Sequence, residues 1–286
     1  MKNVKKLMIS AVCTLALAAC QKQQAQAPAE SKPTPATSQA STIVPAAASS
    51  TNSHLPKYRV VVELDAPFAL QMADGSVSGF DYDVLQAIGE KQGFTLEYKA
   101  YPWGSLFSAL EKSEADLTGG GIYVTPERQE KFDFTSNYLP TSTALLVSKT
   151  SGIQKLSDIR GKKVAVKERT QAQKWVNKTT DDLSKVQAKP TLWLAFKEGL
   201  SKNVDAVVGD EASLTYFLKQ YPDDSLTLIQ DNSLPKEQYA FMLRKGQPEL
   251  MMKLNAGLAQ LEQDGTLAKL RKKWFEEAAP KPAVQP

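Results

Sequence analysis

From Tyr58 onward, short β-branched runs alternate with stretches of helical periodicity, and this alternation confines the chain to an α/β architecture. Val60-Val61-Val62 is a continuous apolar run of the buried-strand kind, and Phe80, Val84, Leu85 and Ile88 follow at the spacing of one helical face. Phe94-Thr95-Leu96-Glu97-Tyr98 alternates as a strand, and Trp103, Leu106, Phe107 and Leu110 repeat the spacing i, i+3, i+4, i+7. A second set begins after Leu145-Leu146-Val147. It holds a strand at Lys163-Val164-Ala165-Val166, a helix from Thr170, another through Leu192, Phe196 and Leu200, and a strand over 204–208. A helix after Asp210 and a strand over 226–229 complete it, so two α/β lobes are the natural count for about 220 folded residues. Leu250, Leu254, Leu258 and Leu261, then Leu267, Leu270 and Trp274, mark C-terminal helices that need an apolar surface to cover.

Nothing but a packed core can hold such a body together. The only cysteines, Cys13 and Cys20, lie in the first twenty residues, and the single histidine, His54, sits in a polar Ser/Thr/Asn-rich stretch. Disulfides, thiolate metal sites, His-ligated zinc and His-dependent triads are excluded, and no cofactor is implied. The net charge of +4 is spread over alternating acidic and basic residues, without the basic stripe a nucleic-acid partner would need.

The N-terminal segment reads as an address. Lys2, Lys5 and Lys6 precede an apolar run over 7–19 that is too short to remain in a bilayer as a helix, which makes 1–19 a signal peptide. It closes in Leu17-Ala18-Ala19-Cys20, which resembles the bacterial lipobox and marks Cys20 for lipidation. Residues 20–57, rich in Ala, Ser, Gln, Thr and Pro, cannot bury enough surface to order themselves and read as a tether of about 30 Å reach. Residues 278–286 read as a disordered tail.

The order of motifs resembles solute-binding protein family 3, the polar amino-acid-binding receptors of ABC importers. Gly79-Phe80-Asp81-Tyr82-Asp83-Val84 is followed by Trp103 to Leu110, Ala115-Asp116-Leu117, Thr125-Pro126-Glu127-Arg128 and Phe132-Asp133-Phe134-Thr135. Gly161-Lys162-Lys163-Val164-Ala165-Val166, Asp205-Ala206-Val207-Val208 and Asp264-Gly265-Thr266 continue the match over roughly 58–277. The resemblance implies a two-lobed periplasmic-binding-protein (type II, Venus flytrap) fold with two hinge crossings, expected near 145–148 and 239–243. Lobe 1 is then 58–145 plus 240–277, and lobe 2 is 146–239. It further implies a monomer that binds an amino acid without turnover and passes it to a permease in the inner membrane. The lipid anchor would hold it in the cell envelope, facing the periplasm or the outside.

An α-amino acid needs a cation for its carboxylate and an acid for its ammonium. Thr125-Pro126-Glu127-Arg128 reads as an N-cap, a proline at the first helical position and an arginine whose charge opposes the helix dipole. By sequence Arg128 is a surface residue paired with Glu127 or Glu130; the resemblance makes it the carboxylate ligand. Thr170-Gln171-Ala172-Gln173 reads as a capped helix start, and the resemblance lets this turn, with Lys167 and Arg169, grip the carboxylate too. Asp210 reads as the N-cap of the next helix and, by resemblance, as the ammonium partner. Glu63, Asp65 and Phe68 stand where the family has an acid and an aromatic. Trp103 is either core or a ring stacked on the ligand, and Gly121 is expected to lend a carbonyl. Tyr123 and Arg169 depart from the family's small residues; with Arg169 in the cleft the ligand would carry an acidic or otherwise oxygen-rich side chain. Two other functions fit the same lobes: a dehydratase of prephenate or arogenate type using Lys167, Glu168 and Glu211, and a surface lipoprotein with an interaction role.

Overall fold

A strand that is apolar on both faces needs cover on both sides, and Val60, Val61 and Val62 have it. Val60 and Val62 face helix Phe80–Gln92, whose Phe80, Val84, Leu85 and Ile88 are fully buried, whereas Val61 packs with Trp103, Leu106 and Leu110 of helix Trp103–Glu111. The computed structural model describes residues 55–277 and the Ser41–Thr42 pair, all within one compact unit, Ser38–Pro286. The signal peptide, Cys20, most of the tether and the tail 278–286 lie outside the described residues.

Strand Lys57–Val62 pairs in parallel with Thr95–Ala100 and Leu117–Thr118, and Met242–Arg244 and Phe132–Phe134 extend the sheet antiparallel. Ser41–Thr42 adds to the other edge, antiparallel to Thr95–Ala100. Two pieces of the expected tether are therefore strand residues: Lys57 begins an inner strand, paired with Thr95, and Ser41–Thr42 pairs at the open sheet edge, which offers backbone groups to a polar segment. Helix Pro248–Gln263 packs over Phe80–Gln92 and buries the predicted stripe Leu250, Leu254, Leu258 and Leu261.

The second sheet centres on Val164–Lys167, flanked in parallel by Val186–Lys189 and Ala206–Asp210, with Thr143–Ser148 and Leu226–Gln230 antiparallel beyond. Helices Gln171–Thr179, Leu192–Leu200 and Glu211–Gln220 cover it. Strand Val186–Lys189 has no counterpart in the sequence reading: its residues are half-buried or exposed at a sheet edge and carry no apolar alternation.

The first crossing lies earlier than expected. Leu145, Leu146 and Val147 are buried strand residues paired on both sides within the second sheet, so 145–148 cannot be a connection. The chain crosses instead through Leu139–Thr141, antiparallel to Glu237–Tyr239, and Met242 is already paired with Thr118 of the first sheet. Thr143 and Ala144 thus belong to the second sheet rather than to the first lobe.

Candidate functional site

Between the two sheets lies a cavity whose wall is drawn from both. The first lobe contributes Asp65 and Phe68 beyond strand Lys57–Val62, Trp103 at the start of its helix, and Gly121, Tyr123 and Arg128. From the second come Lys167, Thr170, Gln171, Leu192 and Asp210. Of the eleven sequence candidates, Glu63 and Arg169 alone do not line it.

Arg128 stands at the third position of helix Pro126–Lys131, which Thr125 caps by accepting from the Arg128 N–H at 3.4 Å. Its guanidinium lies over the rings of Phe107 and Trp103, 5.0 and 5.7 Å from their centroids, and donates to the Tyr123 carbonyl at 2.7 Å. No carboxylate among the described residues pairs with it; Glu127 is taken by Lys174 across the cleft at 2.5 Å. The surface pairing suggested by sequence is therefore replaced by a desolvated cation, and burial pulls its pKa down to about 10, still charged at neutral pH.

Asp210 ends strand Ala206–Asp210 and caps helix Glu211–Gln220, its Oδ1 accepting from the Ser213 N–H at 2.8 Å. Oδ2 accepts from the hydroxyls of Tyr123 at 2.8 Å, Thr141 at 2.9 Å and Tyr239. Burial raises its pKa despite these donors. It has no cationic partner among the described residues. Tyr123, the larger residue where a small one was expected, thus ties the first lobe to the second.

Lys167 sits opposite. Its Nζ bonds Glu63 and Asp65 Oδ2, the latter at 2.7 Å, and lies 4.6 Å from the centroid of the Trp103 ring. Burial would depress this lysine, but the two carboxylates outweigh it and hold it above its ordinary value. Trp103 also donates Nε1–H to the Arg169 carbonyl at 3.1 Å, so core packing and cleft wall are both its roles. Arg169 has φ 57°, and this left-handed backbone sends its guanidinium out of the cavity and against Gly104, in an outer groove. The condition for an acidic ligand fails. Glu168 and Glu211 do not line the cavity, Glu211 being held by Ser142 and Gln230.

Thr170 keeps its predicted capping role: Oγ1 accepts from the Gln173 N–H at 3.2 Å and donates to the Lys167 carbonyl at 2.7 Å. The first amides of helix Gln171–Thr179 have no partner inside the helix, and Gln171 and Ala172 line the cavity.

Asp81 holds the loop that carries Gly121. Its Oδ2 accepts from the N–H groups of Gly120 at 2.5 Å and Gly121 at 3.1 Å and from the Tyr138 hydroxyl at 2.8 Å. Burial pushes this carboxyl up from 3.8 to about 6 against those donors. A carboxyl whose folded pKa exceeds its unfolded value adds stability below the unfolded value and loses it as pH rises through the folded one. Between about pH 4 and pH 7 the wild type is expected to lose about 2 kcal/mol more unfolding free energy than Asp81→Asn, read by urea denaturation at both values. Equal losses in the two proteins would refute the assignment.

Tyr239, Thr141, Leu192 and Asp81 are site or supporting residues to which the sequence reading gave no role at the site. Tyr239 and Thr141 lie on the paired crossing strands, and a strand pairing leaves no short-range signal. Among the described residues no group of three or more His, Cys, Asp or Glu side chains is placed to hold a metal ion.

The profile of the bacterial extracellular solute-binding proteins, family 3, matches residues 58–277. The amino-acid-binding protein AabA of Dichelobacter nodosus is 31% identical over 211 residues, 73% of this chain and 83% of that one. The arginine-binding extracellular protein ArtP of Bacillus subtilis is 30% identical over 210 residues, 73% and 82% of the two chains. Among solved structures, the arginine-, lysine-, histidine-binding protein ArtJ of Geobacillus stearothermophilus superposes with a TM-score of 0.71 at 30% identity, covering 79% of this chain and 97% of that one.

Proposed function

The chain belongs to the bacterial extracellular solute-binding proteins, family 3, and from that membership we propose that it captures a polar amino acid between its lobes for an ABC permease in the inner membrane. The observation that carries this reading is a pair of opposite charges on the cavity wall, neither of which has a salt-bridge partner among the described residues. Asp65 and Lys167 satisfy each other, which leaves the Arg128 cation and the Asp210 anion with no salt bridge among the described residues. One free charge of each sign is the complement of a zwitterion.

The carboxylate lies against Arg128 and the open amides of Gln171 and Ala172, where a guanidinium and a helix start add their fields. The ammonium goes to Asp210 and the Gly121 carbonyl, and the hydroxyls of Tyr123, Tyr239 and Thr141 stand on Asp210 until it arrives. Phe68 and Trp103 bound the ligand from the first lobe. Because such a ligand touches both lobes, it stabilises the closed state, which alone offers both sets of contacts.

The relatives support this class of ligand by name: AabA binds amino acids and ArtP arginine. They are binding proteins, and this chain is one too, not an enzyme. Cys20 is its lipid anchor, and it works as a monomer facing the periplasm or the outside. Mass spectrometry of protein purified from its own cells tests both parts. The released ligand is expected to be an amino acid that rebinds saturably on titration, and the N-terminal peptide to carry a diacylglyceryl group on Cys20. No saturable binding of any proteinogenic amino acid would end the ligand assignment, and an unmodified Cys20 would end the anchor.

A further inference from the structure

The cavity wall already contains a cation seated among anions. Lys167 reaches across the cleft from the second sheet to Glu63 and Asp65 of the first lobe, and the three side chains are 10%, 8% and 10% exposed. Its Nζ faces the Trp103 ring, whose π-face attracts cations. Asp65, Lys167 and Trp103 line the cavity, with Glu63 behind them. Two carboxylates and an aromatic face make a site for an ammonium or guanidinium, and here the protein's own lysine fills it.

We propose that Lys167 is a resident cation that sets specificity: by occupying the anionic pocket of Glu63, Asp65 and Trp103 it makes the cleft reject amino acids with cationic side chains and accept those without. The proposal rests on the amino-acid reading above and gives that reading its substrate class. A cationic ligand side chain has two courses, both unfavourable. Beside Lys167 it meets a like charge in a poorly hydrated site; in place of Lys167 it strands a buried ammonium without its partners. Glu63 is held close to the Lys167 ammonium although burial alone would push its carboxyl up.

Three proteins test this by calorimetric titration at neutral pH with arginine, lysine, glutamine, asparagine, serine and threonine. The wild type is expected to bind at least one neutral amino acid, and to bind arginine and lysine at least about tenfold more weakly. Lys167→Met removes the charge while keeping an unbranched stem, and is expected to bind arginine or lysine about tenfold more tightly than the wild type does. Adding Glu63→Gln and Asp65→Asn to Lys167→Met removes the anions and is expected to abolish that gain. This triple variant buries no unpaired charge, and if Lys167→Met alone does not fold, the wild-type titration decides. Arginine or lysine bound by the wild type as tightly as its best neutral ligand overturns the resident cation and leaves the amino-acid reading standing. A folded Lys167→Met with no gain does the same. No binding of any amino acid by any of the three overturns the amino-acid reading and this proposal with it.

Discussion

Arg128→Ala is expected to weaken amino-acid binding by about 3–4 kcal/mol, several hundredfold in Kd, with little change in melting temperature. The size follows from where the guanidinium stands. It is stripped of much of its water and lies against Phe107 and Trp103, and among the described residues its side chain donates to the Tyr123 carbonyl. A ligand carboxylate would therefore be its first ionic partner, and truncating one side of a desolvated pair leaves the other charge uncompensated. Folding loses no ion pair. Arg128→Lys is expected to recover only part of the affinity, because an ammonium lacks the planar fork that takes both carboxylate oxygens. Titration of the three proteins with the ligand recovered from the wild type measures this. Undiminished affinity in Arg128→Ala would move the carboxylate to another part of the cavity.

Gly79→Ala is expected to destabilise the fold by about 4 kcal/mol or more and to abolish binding with it. Gly79 has φ 133° and ψ 164°, a backbone region open in practice to glycine alone. A Cβ there would stand 2.2 Å from the Phe68 carbonyl oxygen and 2.8 Å from the Ala69 Cα, both backbone atoms that cannot turn aside. The approach is that close because helix Phe80–Gln92 starts on the cleft loop: Phe80 N–H donates to the Pro67 carbonyl at 2.8 Å and Asp81 N–H to that of Phe68 at 3.1 Å. Displacing this loop moves Phe68 and Asp65 out of the cavity wall. Gly75→Ala is the control, since its φ is 83° but its Cβ would meet nothing within 4 Å, and about 1 kcal/mol of backbone strain is expected. Urea denaturation of both variants separates the two cases, and similar losses would show that contact at Gly79 is not the cause.

The site was legible wherever a residue's job is local. Thr125 and Thr170 cap their helices and Asp210 caps a third, as their positions before helical stretches implied. Charge partners were not legible. Glu127 and Arg128 are neighbours in sequence, yet one pairs with Lys174 and the other forms no salt bridge among the described residues, because consecutive helical side chains point about 100° apart and the facing lobe decides what each meets. Arg169 shows the same limit: its left-handed backbone turns the guanidinium onto Gly104 and takes away the argument for an acidic ligand.

By itself, the chain's pattern of apolar periodicity determined that there are two α/β units and which faces of their helices are buried, since Phe80, Val84, Leu85 and Ile88 or Leu250 to Leu261 can satisfy their hydrophobic surface in one way only. Ordered motifs along 58–277 determined the family. Only the tertiary structure decided where the chain crosses between lobes, because the pairing of Leu139–Thr141 with Glu237–Tyr239 joins segments nearly a hundred residues apart through backbone bonds that any sequence can make. It alone also decided that Lys167 is spent on Glu63 and Asp65 while Arg128 forms no salt bridge among the described residues. Electrostatic partnership depends on distance and desolvation, and both are set by the approach of the lobes rather than by neighbours along the chain.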